Sequence, residues 1–359
     1  MSTASQSRPI EPEKLNALLG QAVQDMGAAM HAALIVIGDR LGLYRAMGDG
    51  TPVTSFELAE RTGTAERYVR EWLNANAASK YLEYHPESNT YSMTPEQAFI
   101  LALDDTAVHL PGAFHMVASC MKDEEKLTEV FRTGKGFGWH EHEKGLFEGC
   151  ERFFRPNYLA NLATNWIPAL QGVEAKLRRG ARMADLGCGH GASTILMAQA
   201  YPAAEFHGFD YHDASIERAR ERARQAGVAD RVKFEVAPAQ SFPGSGYDFV
   251  ACFDCLHDMG DPVGAAKHVR QALASDGTWM IVEPFAGDDV SSNLNPVGRI
   301  YYSASTVFCV PASLSQEVGL GLGAQAGEAG IRDVVKAGGF THFRRAAETP
   351  FNLVFEARP

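Results

Sequence analysis

From Lys14 to Met47, apolar residues recur every three or four positions: Leu15, Leu18, Ala22, Met26, Met30, Ala33, Ile37, Leu41 and Tyr44. That is a helical period, and it predicts two consecutive helices broken near Gly38. The rhythm then shortens. Residues Ser55–Arg61 read as a helix, Thr-Gly-Thr as a turn, and Thr64–Ser79 as a second helix. Two short strands, Tyr81–Tyr84 and Thr90–Met93, flank the turn PESN. Helix, turn, helix, hairpin is the winged-helix order.

Residues 104–170 read as mostly helical, interrupted by TGKGFGWHEHEKG, whose glycines predict a mobile loop. His140 and His142 alternate there with Glu141 and Glu143, but four adjacent residues do not converge on one ion in regular structure. From about residue 176 strands and helices alternate. ARMADLG, EFHGFDY, VKFEVA, YDFVACFD and GTWMIVEP are strands, and GASTILMAQAYP, ASIERARERARQAG and VGAAKHVRQAL are helices. Such alternation predicts a doubly wound parallel sheet. The tail, GFTHFRRAAETPFNLVFEARP, reads as two strands without a helix between them, so the last must pair antiparallel.

The first strand–helix turn, DLGCGHGA, carries the candidate chemistry. Gly187, Gly189 and Ala192 satisfy a dinucleotide pattern, and Asp210 follows Gly187 by 23 residues. Asp185, two residues before the first glycine, would repel a pyrophosphate but suits an ammonium group. Asp210, ending the next strand, can accept both hydroxyls of a ribose. A ligand with an amino acid, a ribose and a cationic sulfur fits best, which is S-adenosylmethionine (SAM). A hairpin tail is also foreign to the usual dinucleotide fold.

With DLGCGHG, GFDY, FDCLHD, VEP and the tail hairpin on one chain, the sequence resembles class I SAM-dependent methyltransferases from about residue 176 onward. With the winged helix in front, it is similar to small-molecule O-methyltransferase-type proteins, and more closely to a bacterial branch with mycobacterial members. The resemblance implies a Rossmann-like, doubly wound, mostly parallel seven-stranded sheet with an antiparallel last strand, plus an N-terminal α-helical winged-helix domain. It divides the chain into a winged-helix and dimerisation domain (1–103), a helical linker and active-site cover (104–175), and a SAM-binding domain (176–359) with an insertion at about 285–328.

The same resemblance implies site residues. Gly187, Cys188 and Gly189 line the methionine part of SAM, with Asp185 near its amino group, Asp210 on the ribose and Tyr211 beside the adenine. Phe253 and Asp254 complete the cofactor wall. The family often reads adenine with an acid after the third core strand, but Ala237, Pro238 and Ala239 stand there, so backbone groups or Gln240 are expected to do it. His257, in Leu-His-Asp, takes the place of the general base, with Glu283 as its orienter and Asp258 as a second orienter or a helix N-cap. Trp139, Tyr158, Met259, Tyr301, Tyr302 and Phe308 are candidate walls of the acceptor pocket. Arg155, beside Tyr158, is expected near the cofactor.

Composition narrows the classes. The 359 residues suffice for two cores, and 45% hydrophobic with 21% charged residues is an ordinary globular balance. The formal net charge of −11 disfavours a phosphate-backbone partner. Within 51–100, four basic residues face seven acidic ones, the wrong sign for a DNA reader, so the winged helix is expected to pack or dimerise. The N-terminus lacks a signal-peptide core and no apolar run is long enough to span a bilayer, so a cytoplasmic homodimer without nucleic acid, membrane or metal is expected. Cys252 and Cys255 form a CxxC, expected to be two small buried residues at a strand end. Methyl transfer to nitrogen, sulfur or carbon, a SAM-responsive regulator, and a SAM-binding fold without transfer remain alternatives.

Overall fold

A computed structural model describes residues 9–104 and 106–359, which divide into two compact units, one reaching Ala118 and one covering Ser119–Pro359.

The first unit begins with one helix, Pro12–Arg40, that runs straight through Gly38 and ends at Leu41. Gly38 is there for space and not for a break. A Cβ on it would lie 2.5 Å from Trp72 Cζ2 and 2.8 Å from the Tyr44 ring. Trp72 can therefore lie flat on the helix and donate its Nε1–H to the Leu34 carbonyl at 2.9 Å. Helix Ser55–Thr62 is started by a capping box between Thr54 and Glu57, and helix Glu66–Ala78 follows. Strands β1 (Glu83–His85) and β2 (Thr90–Ser92) pair antiparallel, slightly shorter than the pattern suggested. The core gathers Ile35, Leu43, Tyr44, Leu58, Trp72, Leu73 and Leu101. The first half of the long helix stays bare: Leu18, Val23, Met26 and Met30 are all exposed.

In the second unit, seven strands form one sheet: β3 (Arg182–Leu186), β4 (Glu205–Asp210), β5 (Val232–Val236), β6 (Tyr247–Phe253), β7 (Leu273–Pro284), β8 (His342–Glu348) and β9 (Asn352–Arg358). Their order is β5-β4-β3-β6-β7-β9-β8, with β3 to β7 parallel and β9 antiparallel to both neighbours. Alternation along β6 sends Phe249, Ala251 and Phe253 into one apolar layer and Val250 and Cys252 into the other. Both faces are thus buried, as a doubly wound sheet requires. Strand β7 starts four residues earlier than its apolar run, because Leu273 pairs with Tyr247 across an irregular register. Two π-helical turns, Leu162–Trp166 and Ser305–Cys309, have no counterpart in the apolar period.

Replacing Gly38 by Ala forces a methyl group into the Trp72 ring. It is expected to destabilise the N-terminal unit by about 1–3 kcal/mol. Thermal denaturation followed by tryptophan fluorescence checks this.

Candidate active site

The turn after β3 is tied to β4. The Gly189 N–H donates to Asp210 Oδ2 and the His212 N–H to Asp210 Oδ1, both at 2.9 Å. Each carboxylate oxygen keeps a lone pair for an outside donor, and burial raises the Asp210 pKa above its ordinary value. Gly187 sits at φ +65°, and a Cβ on it would lie 2.7 Å from Cys255 Sγ. Only glycine combines that backbone with that proximity. Asp185 behaves differently from expectation. It is fully buried and accepts from Ser193 Oγ and Thr194 Oγ1, both at 2.6 Å on Oδ2, while Oδ1 has no donor. Burial, with the nearby charge of Asp210, pushes its pKa up to about 6. Its carboxylate braces the helix Ala192–Ala200 from below and is not part of the cavity wall.

Beyond β6 the chain makes a second tight passage. Asp254 takes φ +50°, uncommon for a non-glycine residue. It is clamped by Tyr158 Oη (3.1 Å) and by Asn352 Nδ2 (2.8 Å), and Asn157 Nδ2 in turn donates to Asn352 Oδ1 at 2.6 Å. Burial, then the charge of Glu283, pushes the Asp254 pKa up to about 8. Next comes His257, which is 2% exposed. Its Nδ1 is 2.5 Å from Glu283 Oε2, and Glu283 Oε1 accepts the Leu256 N–H at 3.1 Å. Its Nε2 is 3.1 Å from Asp258 Oδ1, an ion-pair approach without a well-directed hydrogen bond. Burial works against a charged imidazole, but Asp258 and Glu283 outweigh it and hold its pKa well above the ordinary histidine value. Two carboxylates thus favour the charged form of the ring that was expected to act as base. The N-cap of helix Pro262–Ala272 is Asp261, which leaves Asp258 free of that role. Cys309 Sγ, His257 and Asp258 offer ligand atoms within 4.8 Å of one another.

A cavity of about 800 Å³ opens on these strand ends. Of the residues expected there, Gly187, Cys188, Gly189, Asp210, Tyr211, Ala237, Gln240, Phe253, Asp254, Asp258, Trp139, Tyr158 and Met259 line it. His257 and Glu283 stand behind Asp258, outside the wall. Arg155 is outside it too. Tyr301, whose hydroxyl donates to the Phe351 carbonyl at 2.7 Å, lies off the wall, as does Tyr302. Phe308 backs the wall by packing edge-on to Trp139 and His142. The glycine-rich loop is pinned: His142 is buried with Nδ1 2.9 Å from Asp123 Oδ2, and Glu143 accepts from Ser119 Oγ and the Gly145 N–H. Cys252 and Cys255 are free thiols with raised pKa values. For Cys255 the cause is its contact with Cys252 and then burial, and for Cys252 it is burial.

Several wall residues escaped the sequence reading. Phe147, Cys150, Glu151 and Phe154 come from helix Gly145–Asn161 and, with Tyr158, form a stripe at helical spacing that was legible in principle. Glu151 is paired with Arg222 and with His190 Nδ1 at 3.0 Å. Ala312, Gln316, Glu317 and Val318 come from the insertion, where no period announces them.

Residues 177–308 match the family model described as a methyltransferase domain, and residues 29–103 match that of an Rv2258c-like winged HTH domain. The chain is 36% identical over 103 residues to 27-O-demethylrifamycin SV methyltransferase of Amycolatopsis mediterranei, covering 28% of this chain and 38% of that protein. It is 31% identical over 134 residues to ubiquinone biosynthesis O-methyltransferase of Bordetella avium, covering 36% and 52%. The match spans about half or less of these relatives' length. Mitomycin 7-O-methyltransferase superposes with a TM-score of 0.68 at 21% identity, over 97% of this chain and 100% of that one. Human N-acetylserotonin methyltransferase, solved with SAM, gives 0.67 at 16% identity over 99% of both chains. At such identities the likeness establishes the fold.

The raised Asp254 pKa fixes a sign. The folded state binds a proton that the unfolded chain has released, so this group's contribution to stability is lost as pH rises from about 4 towards 8. Asp185 and His257 shift the same way. The ligand-free protein is expected to melt at lower temperature at about pH 9 than at about pH 5, and Asp254→Asn to flatten that decline. Melting curves of both proteins across that range check it.

Proposed function

We propose that this chain, a methyltransferase domain carried behind a winged helix-turn-helix domain, moves a methyl group from SAM to a hydroxyl of a small-molecule acceptor. The observation that carries the reading is one cavity whose wall holds both the Asp210–glycine turn and Asp258, with the His257–Glu283 pair directly behind. The residues fit SAM. Gly187 leaves room that a side chain would fill, Asp210 has lone pairs for ribose hydroxyls, and among the described residues no lysine or arginine lines the wall to hold a pyrophosphate. Ala237, Pro238, Ala239 and Gln240 border the adenine side, where backbone groups do the reading.

When bound, SAM supplies an electrophilic methyl on a sulfonium. The chain's own work is to hold the acceptor in line, exclude water and take up the hydroxyl proton. His257, locked by Glu283, is the base for that proton, with Asp258 between it and the cavity. The three act as a unit, so single substitutions are not additive. Trp139, Phe147, Phe154 and Met259 form the apolar part of the wall. Acceptors with nitrogen, sulfur or carbon nucleophiles use the same scaffold, and one that is already reactive needs no proton acceptor.

The winged helix is a packing module on this reading. Arg67 and Arg70 on its second helix pair with Glu71 and Glu66 at 2.7 and 2.8 Å, which offsets the charge a phosphate backbone would need. On this reading a second copy of the chain covers the apolar stripe that Pro12–Arg40 exposes at Leu18, Val23, Met26 and Met30. Among the described residues, no helix is long and apolar enough to cross a membrane.

Three predictions test these statements. Asp210→Ala is expected to weaken SAM binding by about 1–3 kcal/mol in calorimetry. In the same assay series, His257→Ala and Asp258→Asn keep SAM binding but lose about 10²–10⁴-fold in turnover. Full turnover in His257→Ala sinks the hydroxyl assignment, and unchanged affinity in Asp210→Ala sinks the cofactor site. For the assembly, light scattering is expected to show a dimer that Met26→Glu with Met30→Glu converts to monomer; a wild-type monomer at micromolar concentration refutes it.

A further inference from the structure

One buried thiol beside the site has no part in the chemistry so far. Cys309 closes the π-helical turn Ser305–Cys309, and that turn is pinned where Ser305 Oγ accepts the Ala324 N–H at 3.0 Å. π-Helical turns of this kind are frequent at functional sites. The Cys309 thiol is free and buried, and it faces the Ala304 carbonyl at 3.9 Å, a weak contact. From there its Sγ lies within 4.8 Å of a ring nitrogen of His257 and of a carboxylate oxygen of Asp258.

A thiol, an imidazole and a carboxylate are the donor mix of a borderline-soft divalent cation, while Mg2+ and Ca2+ want oxygen. The spacing agrees. His257 Nε2 and Asp258 Oδ1 are 3.1 Å apart without a well-directed hydrogen bond, and Oδ1 is out of water with no donor. Donors bound at about 2.0 Å in a tetrahedral site stand about 3.3 Å from one another. The ring is also oriented as a ligating histidine is. Its Nδ1 faces the buried Glu283 at 2.5 Å, and such a carboxylate fixes the tautomer and makes the other nitrogen a better ligand. The ring carries at most one positive charge between two carboxylates, whereas a divalent cation brings two. Asp258 lies on the cavity wall, which gives an ion its way in. No spacing in the sequence announces this set, because Cys309 comes from the insertion.

We propose that His257 Nε2, Asp258 and Cys309 form a binding site for a borderline-soft divalent cation such as Zn2+, and that the bound ion takes the proton-accepting nitrogen out of use. On binding, the Cys309 thiol proton and any proton on Nε2 pass to solvent, and the lone pairs they leave go to the metal. The site itself does not depend on the methyltransferase reading; the silencing of the base rests on it. Co2+ titrated into the full chain is expected to give a near-ultraviolet thiolate-to-metal band that Zn2+ displaces and Mg2+ does not. X-ray absorption of the zinc-loaded protein should show one sulfur at about 2.3 Å among nitrogen and oxygen neighbours at about 2.0 Å. Cys309→Ser should lose the band and bind Zn2+ at least tenfold more weakly against a chromophoric chelator, while Cys120→Ser keeps both. A band that survives in Cys309→Ser, a zinc shell of nitrogen and oxygen alone, or no binding of either ion overturns the site. In the turnover assay, saturating Zn2+ should cost the wild type at least tenfold and Cys309→Ser much less; equal loss in both overturns the silencing. A protein that binds Zn2+ in this way but not SAM keeps the site and fails the methyltransferase reading.

Discussion

Glu283 is almost entirely out of water, and both of its oxygens are engaged. One holds the His257 ring and the other the Leu256 backbone, so a single carboxylate at the end of β7 fixes the passage that follows β6. An ionised group in that position costs several kcal/mol in desolvation unless its partners are in place. The geometry therefore holds as a set. If the Leu256 turn shifts, Glu283 loses a donor, and the His257 ring loses the carboxylate that holds it. Asp258 owes its position on the cavity wall to this arrangement.

A second polar lattice braces the first. Asn352 opens β9, and because β9 runs antiparallel its first residue lies at the edge where the parallel strands end. There it links Asn157 of the preceding helix to Asp254. The unfavourable backbone of Asp254 is held by contacts from two distant stretches of chain. Residues in such conformations persist where their surroundings over-determine them, and they cluster at functional sites.

How much of this could be read from the letters alone follows from the range of the forces involved. The winged-helix order, the alternation of strands and helices and the antiparallel tail are local or periodic, and each was legible. So were Asp210, the glycines and the His257–Glu283 pair, which sit at strand ends where a doubly wound sheet places its chemistry. Gly38 misled because a missing side chain looks the same whether it breaks a helix or admits a tryptophan. Tyr301 misled because a hydrogen bond to the backbone of Phe351, fifty residues away, decides where it faces. The state of His257 was hidden for a related reason. A histidine's charge depends on which carboxylates reach it in three dimensions, and Asp258 as its neighbour in sequence could equally have capped a helix.

The scarcity of basic groups in the cavity wall bears on more than recognition. In the reaction proposed, the methyl donor enters with a sulfonium charge and leaves as a neutral thioether. Carboxylates that face it without lysine or arginine attract the first form and are indifferent to the second. The lining thus distinguishes spent donor from fresh donor by charge alone, and does so at the moment the methyl leaves. On the proposed reading, the same acids hold the by-product less tightly than the charged donor they drew in.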